Sequence, residues 1–344
     1  MWSDRCTHCL DSHTGARPSL ASATERTRAW LLIEHPGPWA GRLEDTALAP
    51  PVSRALERAR EHAVRVQLIR RPARRRETPP LQVYVAWSGP GAWLEGRELA
   101  DPAELNALDL RAVGTGRRPG FGAPVQNLFL VCTNGKRNAC CARLGAPLAR
   151  VLREGFGDAV WETTHVSGDR YAANLVCLPD GLYYGDLTIA DGLVAAARYA
   201  RGEVWLRRYR GRAGLPEAAQ AAEHFLRRQT GVGSVSAVTI ESIRPPEPAE
   251  PAGLPEPPGL PEPAEPAEPA EPAEPAELAA EQVTDVVASL GGERYLARVE
   301  RVPLEPCGPE CTDDTSTYVL RELVPLGDRA GVSPGPGIRS SRPG

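Results

Sequence analysis

Hydrophobic positions along the chain recur with two periods. Ala29–Glu34 (AWLLIE) is an almost continuous apolar run closed by the breaker HPGPW, and it predicts a buried strand. Within Val52–His62, the residues Val52, Leu56 and Ala59, followed by Ala63, recur at helical spacing. Val64–Ile69 and Leu81–Trp87 predict two strands on either side of an Arg-rich, Pro-containing turn, and Ala92–Leu99 predicts another. The order strand, helix, strand, strand defines an N-terminal α/β region at 25–120. The stretch GTGRRPGFGAP at 114–124 is rich in Gly, Pro and Arg and marks a boundary.

From 121 the pattern restarts. Leu128–Cys132 is an apolar strand. Leu144, Leu148, Val151 and Leu152 form one face of a helix over 141–154, and Val160–Thr163 is a short strand. Asn174–Leu178 and Leu182–Leu187 flank Pro179-Asp180-Gly181, a hairpin signal. Two helices follow, Gly192–Arg201 and Pro216–Gln229, the second with Pro216 in its first turn and Gly231 at its close. Val235–Ile243 predicts a strand. Residues 246–277 then become low in complexity and end in Glu-Pro-Ala triplets. Proline at every third position blocks helix and sheet, so this segment reads as a disordered acidic insertion. Strand character returns at Arg294–Val302 and Tyr318–Val324. Those strands need a sheet to join, which assigns 278–326 to the same domain as 121–245. Residues 1–24 and 327–344 are expected to be poorly ordered.

Composition narrows the function. A chain of 344 residues that is 42% hydrophobic can bury a sizeable core, and its length suits two domains. The formal charge is −4, but 246–277 alone holds nine Glu and no Lys or Arg, so the remainder is mildly basic. Neither balance indicates a nucleic-acid or membrane-surface partner. Lys136 is the only Lys among 40 basic residues, a bias typical of GC-rich coding, and Arg clusters are discounted accordingly. No apolar run approaches the ~20 residues of a membrane helix. The start, MWSDRCTHCLDSH, lacks a secretory pattern. A cytoplasmic protein is expected. In that compartment the eight Cys are metal ligands, redox groups or buried thiols rather than disulfides.

The chemistry is concentrated between Cys132 and Asp186. In CTNGKRNACC, Cys132 ends a strand and Cys141 opens a helix, with Gly135 letting the loop fold back between them. The helix N-terminus, Lys136 and Arg137 favour thiolate. Thiolates in a basic loop are what a soft metal or an iron–sulfur cluster requires. His165-Val-Ser-Gly-Asp169-Arg170 follows. Two side chains separated by three residues, one of them Gly, can converge on one iron.

The blocks CTNGKRNACCARLG, HVSGDRYAANLVCLPDGLYYGDL and YRGRAGLPEAAQAAEHFLR, with WLLIEHPGPW and RVQLIRR, resemble the sucrase/ferredoxin-like family over most of the chain. The resemblance implies a thioredoxin-like ferredoxin domain holding a [2Fe–2S] cluster. In fungal members two Cys spaced C-x8-C ligate one iron and a His-x-x-x-His pair ligates the other. Cys132 and Cys141 match the first element, and His165 matches the first His. Asp169 stands at the second His position. With Asp169 as ligand, an oxidised cluster carries one negative charge, against none for two neutral His and two for four thiolates. More negative clusters are harder to reduce, which places the expected potential between Rieske-type and all-Cys centres. Arg170 then balances charge in the reduced state. The implied role is an electron carrier working with an unspecified redox partner protein. Nothing supports sucrase activity, because glycoside hydrolysis needs two facing carboxyl groups and no Asp/Glu pair signals them.

Other readings stay open at this point. Cys132 with Cys140 or Cys141 makes a cluster-free dithiol redox protein of the same fold. Cys6 and Cys9, with His8 and His13 nearby and Cys307 and Cys311 far along the chain, make a zinc-stabilised interaction protein. Cys177, inside NLVCLP, reads as a small core residue. Arg70, Arg71, Arg74, Arg75 and Arg76 form a basic turn, read as a solvated loop with docking of an acidic partner as the sharper option. Trp39 reads as core or loop packing.

Overall fold

The computed structural model describes residues 20–72, 80–244, 283–304 and 316–327. It is a mixed α/β protein built on a ten-stranded sheet and a separate four-stranded sheet.

The large sheet is made of two halves with the same plan. In the first, β1 (Ala29–Glu34) and β2 (Val64–Arg70) run parallel and are joined by α1 (Pro50–Glu61). β3 (Leu81–Trp87) is antiparallel to β1, and β4 (Trp93–Leu99) is antiparallel to β3. A short helix, α2 (Leu110–Gly114), leads to the edge strand β5 (Ala123–Pro124). In the second half, β6 (Leu128–Cys132) and β7 (Val160–Thr163) are parallel and joined by α3 (Ala139–Phe156). β8 (Leu175–Leu178) is antiparallel to β6, and β9 (Leu182–Tyr184) is antiparallel to β8. Helix α4 (Ile189–Ala200) then leads to the edge strand β10 (Tyr209–Arg212).

The halves meet where β2 pairs antiparallel with β7, Ile69 opposite Thr163 and Arg70 opposite Glu162. The strand order is therefore the same read outward from that junction in either direction. The N-terminal region continues the sheet of the second half, and 114–124 is a connection within one sheet.

Local chemistry explains the elements. Pro50 and Pro51 start α1, where a missing N–H costs nothing, and Val52, Ala55, Leu56 and Ala59 bury its inner face. All five residues of β6 are buried because both faces of the sheet are covered. Leu128, Leu130 and Cys132 face one core, and Phe129 and Val131 face another. Residues 20–24, assigned by the sequence to the poorly ordered N-terminus, are packed here. Ala21 and Ala23 are buried, and the Ala23 N–H donates to Gln220 Oε1 at 3.1 Å.

The strands beyond the acidic segment add nothing to the large sheet. β11 (Val238–Arg244), β12 (Val283–Leu290), β13 (Glu293–Pro303) and β14 (Ser316–Leu326) form an antiparallel meander of their own. Arg244 lies opposite Asp285, so residues 245–282 leave and re-enter at neighbouring positions of this sheet. The low-complexity run at 246–277 lies outside the described residues, as do the tail from 328 and residues 1–19.

Helix α5 (Glu217–Thr230) ties the small sheet to the large one. Its alanines 218, 219, 221 and 222 pack with Val286, Ala297 and Val299. On its other side Glu223 is fully buried between Arg212 (2.9 Å) and Arg227 (2.8 Å). Buried ionic groups of this kind are costly to break, because removing one partner leaves the others uncompensated. Replacing Glu223 by Gln is expected to destabilise the protein by about 3–5 kcal/mol, read from the urea unfolding midpoint. An unchanged midpoint would show that the two arginines find other partners.

Candidate metal centre

Cys132 is the last residue of β6 and the loop 133–138 follows it. Asn138 caps α3. Its Oδ1 accepts from the Cys140 N–H at 2.9 Å and its carbonyl accepts from the Cys141 N–H at 3.0 Å. Asn134 braces the loop from outside, donating from Nδ2 to the Ala40 carbonyl of the first half at 3.1 Å. These contacts fold the chain back and set Cys141, in the first turn of α3, against Cys132.

Two glycines serve this by their size. A Cβ on Gly135 would lie 2.8 Å from the Cβ of Ala142, and one on Gly145 would lie 2.1 Å from the Cys132 carbonyl oxygen. Neither has a positive φ. Gly135 therefore matters through close approach, and not through the backbone freedom that the sequence suggested.

His165 arrives from the end of β7, and the first half holds it there. The Thr164 N–H donates to the Leu68 carbonyl at 3.0 Å, and the Leu68 N–H donates to Thr164 Oγ1 at 3.2 Å. The Gln67 amide is hydrogen-bonded to the hydroxyls of Thr163 and Thr164. Arg65 donates to the His165 carbonyl at 3.3 Å.

The structure brings Cys132, Cys141 and His165 together, with a ligand-capable atom from each inside 4.8 Å of the others. Both sulfurs are fully buried thiols, and His165 is half-buried. A hydrogen bond from Cys141 is the largest influence holding the Cys132 thiol well below its ordinary range. Burial opposes it, and His165 and the Asn134 backbone N–H add to the lowering. His165 Nδ1 is buried and has no hydrogen-bond partner among the described residues. A buried ring nitrogen without a partner beside a thiolate-favouring cysteine pair is a donor set that suits a soft metal or a cluster.

The turn after His165 has its own support. Ser167 and Gly168 are both left-handed, with φ of 81° and 70°. Gly168 is required twice, since a Cβ there would also strike the Arg210 guanidinium at 2.1 Å. Asp169 begins the short helical turn Asp169–Tyr171, and its side chain lies outside the described atoms.

The other sequence candidates fall elsewhere. Cys140 is buried and accepts a long contact from Arg143 (3.9 Å), outside the converging group. Cys177 points into the core on the opposite face of the sheet, where burial pushes its thiol up. Trp39 is core, with Arg70 stacked on it at 4.0 Å. Arg70 pairs with Glu162, and Arg71 stacks on Trp161 at 3.6 Å, so both belong to the packing of the sheet junction. Arg74, Arg75 and Arg76 lie outside the described residues, as do Cys6, Cys9, His8, His13, Cys307 and Cys311.

Sequence reasoning missed the supporting groups Arg65, Thr164, Asn174 and Arg210. Asn174 and Arg210 stand in the blocks HVSGDRYAANLVC and YRGRAG, but periodicity does not reveal a buried polar contact. Arg210 donates to Asn174 Oδ1 at 2.6 Å, and Asn174 Nδ2 donates to the Gly168 carbonyl at 2.7 Å.

The family model for sucrase/ferredoxin-like proteins matches residues 20–211, which takes in both halves of the large sheet as far as β10. The chain belongs to that family. Comparison with curated proteins and with solved structures finds no match. No described helix is long and apolar enough to cross a membrane.

Gly145 gives a direct check on the geometry. Gly145→Ala must push α3 away from Cys132, and overpacking of this kind typically costs about 1–3 kcal/mol. The variant is expected to remain folded by circular dichroism but to bind cobalt(II), a probe for thiolate–imidazole sites, at least tenfold more weakly. Wild-type affinity would show that the approach of α3 does not set the site.

Proposed function

We propose that the protein is an electron carrier that holds a [2Fe–2S] cluster on a thioredoxin-like ferredoxin domain. The observation that carries this reading is the convergence of two buried thiols and an imidazole whose Nδ1 has no partner among the described residues, in a member of the sucrase/ferredoxin-like family. The order β7-β6-β8-β9, with β6 and β7 parallel and β8 and β9 antiparallel, supports the thioredoxin-like assignment.

Cys132 and Cys141 would hold one iron. His165 would hold the other, with Asp169 as the fourth ligand. When bound, the cluster supplies a one-electron couple, accepting an electron from a donor protein and passing it on. The residues of the chain do the rest. Burial of both sulfurs excludes water from the thiolates. Of the three converging residues only His165 is partly exposed, which makes it the entry point for a partner and for a proton. Lys136 and Arg143 are exposed on the first turns around the cysteines and present positive charge to an acidic redox partner. The expected compartment is the cytoplasm.

One observation favours a second reading. The Cys141 to Cys132 hydrogen bond is also what a dithiol redox pair needs. In that reading His165 would only help to lower the Cys132 thiol, and its buried Nδ1 would stay without a partner.

Protein purified without air is expected to contain about two irons and two acid-labile sulfides per chain. Cys132→Ser is expected to lose them. A colourless protein without iron after anaerobic reconstitution, with a titratable Cys132–Cys141 disulfide, would replace the cluster by dithiol chemistry. Asp169→His removes one negative charge from the ligand set, so its midpoint potential is expected to lie above that of the wild type. A lower potential would contradict Asp169 as a ligand.

A further inference from the structure

Of the two buried tyrosines on β9, Tyr183 faces the core that carries Cys132. Tyr183 is fully buried, and its hydroxyl has no hydrogen-bond partner among the described residues. Tyr183 lies opposite Val176 of β8, and Val176 lies opposite Leu130 of β6. Residues directly opposite in adjacent strands share a face, and so do residues two apart in one strand. Tyr183 is thereby on the face that carries Leu130 and Cys132, and all of these belong to one core. That core also holds cysteines, Cys132 among them, whose sulfurs can accept a hydrogen bond.

The surroundings are cationic. Arg210 lies 5.7 Å from the Tyr183 ring centre and 4.9 Å from that of Tyr171. Its guanidinium is fully buried. It donates to Ser22 Oγ and the Ser22 carbonyl at 2.8 Å, to Asn174 Oδ1 at 2.6 Å and to the Ser167 carbonyl at 3.4 Å. None of these hydrogen-bond partners is a carboxylate; Asp186 acts on the guanidinium through charge alone. Gly168 and Gly185 wall it in, since a Cβ on either would strike the Arg210 side chain. A buried cation and an unpartnered buried hydroxyl are both costly unless negative charge is brought to them.

We propose that the Tyr183 hydroxyl donates a hydrogen bond to a sulfur of the bound cluster on the face of the sheet that carries Cys132 and raises its reduction potential, with Arg210 as the buried cation behind it. The inference rests on the cluster reading above and extends it to a residue outside the ligand set. Burial pushes the phenol of Tyr183 up, against the opposing pull of Arg65 and Arg210, and the group keeps its proton and acts as a donor. Donors to cluster sulfurs stabilise the reduced, more negative state. Tyr183 is a positioning and tuning residue and not a ligand, so its removal should leave the iron in place.

The test is an EPR-monitored redox titration of iron-loaded wild type and Tyr183→Phe. The variant keeps the ring and loses only the hydroxyl. The expected result is unchanged iron and sulfide content with the reduction equilibrium about tenfold less favourable, a fall of about 59 mV for one electron. A second protein carries 3-fluorotyrosine at 183, a stronger donor of nearly the same size, and its potential is expected to rise. Equal potentials in the loaded wild type and both substituted proteins would overturn the role of Tyr183 and leave the cluster reading intact. A wild type that binds no iron would overturn both.

Discussion

The antiparallel pairing of β2 with β7 is the contact on which the site depends. It joins two halves of the same plan into one sheet, and it does so at the strand that leads to His165. Each backbone polar group at that junction needs a partner because both sides are buried. Leu68 and Thr164 satisfy one another, and Gln67, Thr163 and Arg65 complete the set. Without the first half the segment 163–165 would expose these groups, and the imidazole would have no fixed position relative to the sulfurs of the second half. The N-terminal half thus supplies none of the three converging residues but sets where His165 stands.

The rest of the site follows from close packing against that frame. Small residues let α3 come down onto β6, with Gly145 against the Cys132 carbonyl, and this brings Cys141 to Cys132. A second pair of glycines, Gly168 and Gly185, makes room for the Arg210 side chain under the His165 turn. The same layer of side chains therefore holds the sulfurs, positions the imidazole and places positive charge beneath them. A dry, hydrogen-bonded surround is what sets the electronics of a sulfur-ligated centre as much as the ligands themselves do.

Much of this was legible in the sequence. Strands β1, β3, β6 and β7 stand where the apolar runs Ala29–Glu34, Leu81–Trp87, Leu128–Cys132 and Val160–Thr163 put them. Local pattern suffices for elements with both faces buried. The blocks that supply the converging residues were also visible, because Cys132, Cys141 and His165 occur in short, chemically unusual motifs. What one sequence hides is partnership over distance. Nothing local says that Ile69 lies opposite Thr163, or that the two halves share a plan, since their helices and loops differ in length and composition. β12 was missed because VTDVVASL follows the low-complexity run and mixes apolar with polar residues. Its strands were assigned to the sheet of the second half, whereas β11 supplies the edge they extend. Arg210 and Tyr183 were missed because a buried polar residue looks, in sequence, like any polar or aromatic residue on a strand.

The central claim is that one iron is held by sulfur alone and the other by His165 as well. Mössbauer spectroscopy of 57Fe-loaded protein prepared without air tests it most directly. Two distinct ferric sites of equal weight are predicted in the oxidised protein, one of them shifted as expected for a nitrogen- or oxygen-containing ligand set, with a smaller difference between the sites in His165→Cys, where Asp169 stays, and none in the His165→Cys/Asp169→Cys double variant. Two indistinguishable sulfur-only sites in the wild type, or no iron signal after anaerobic loading, would contradict it.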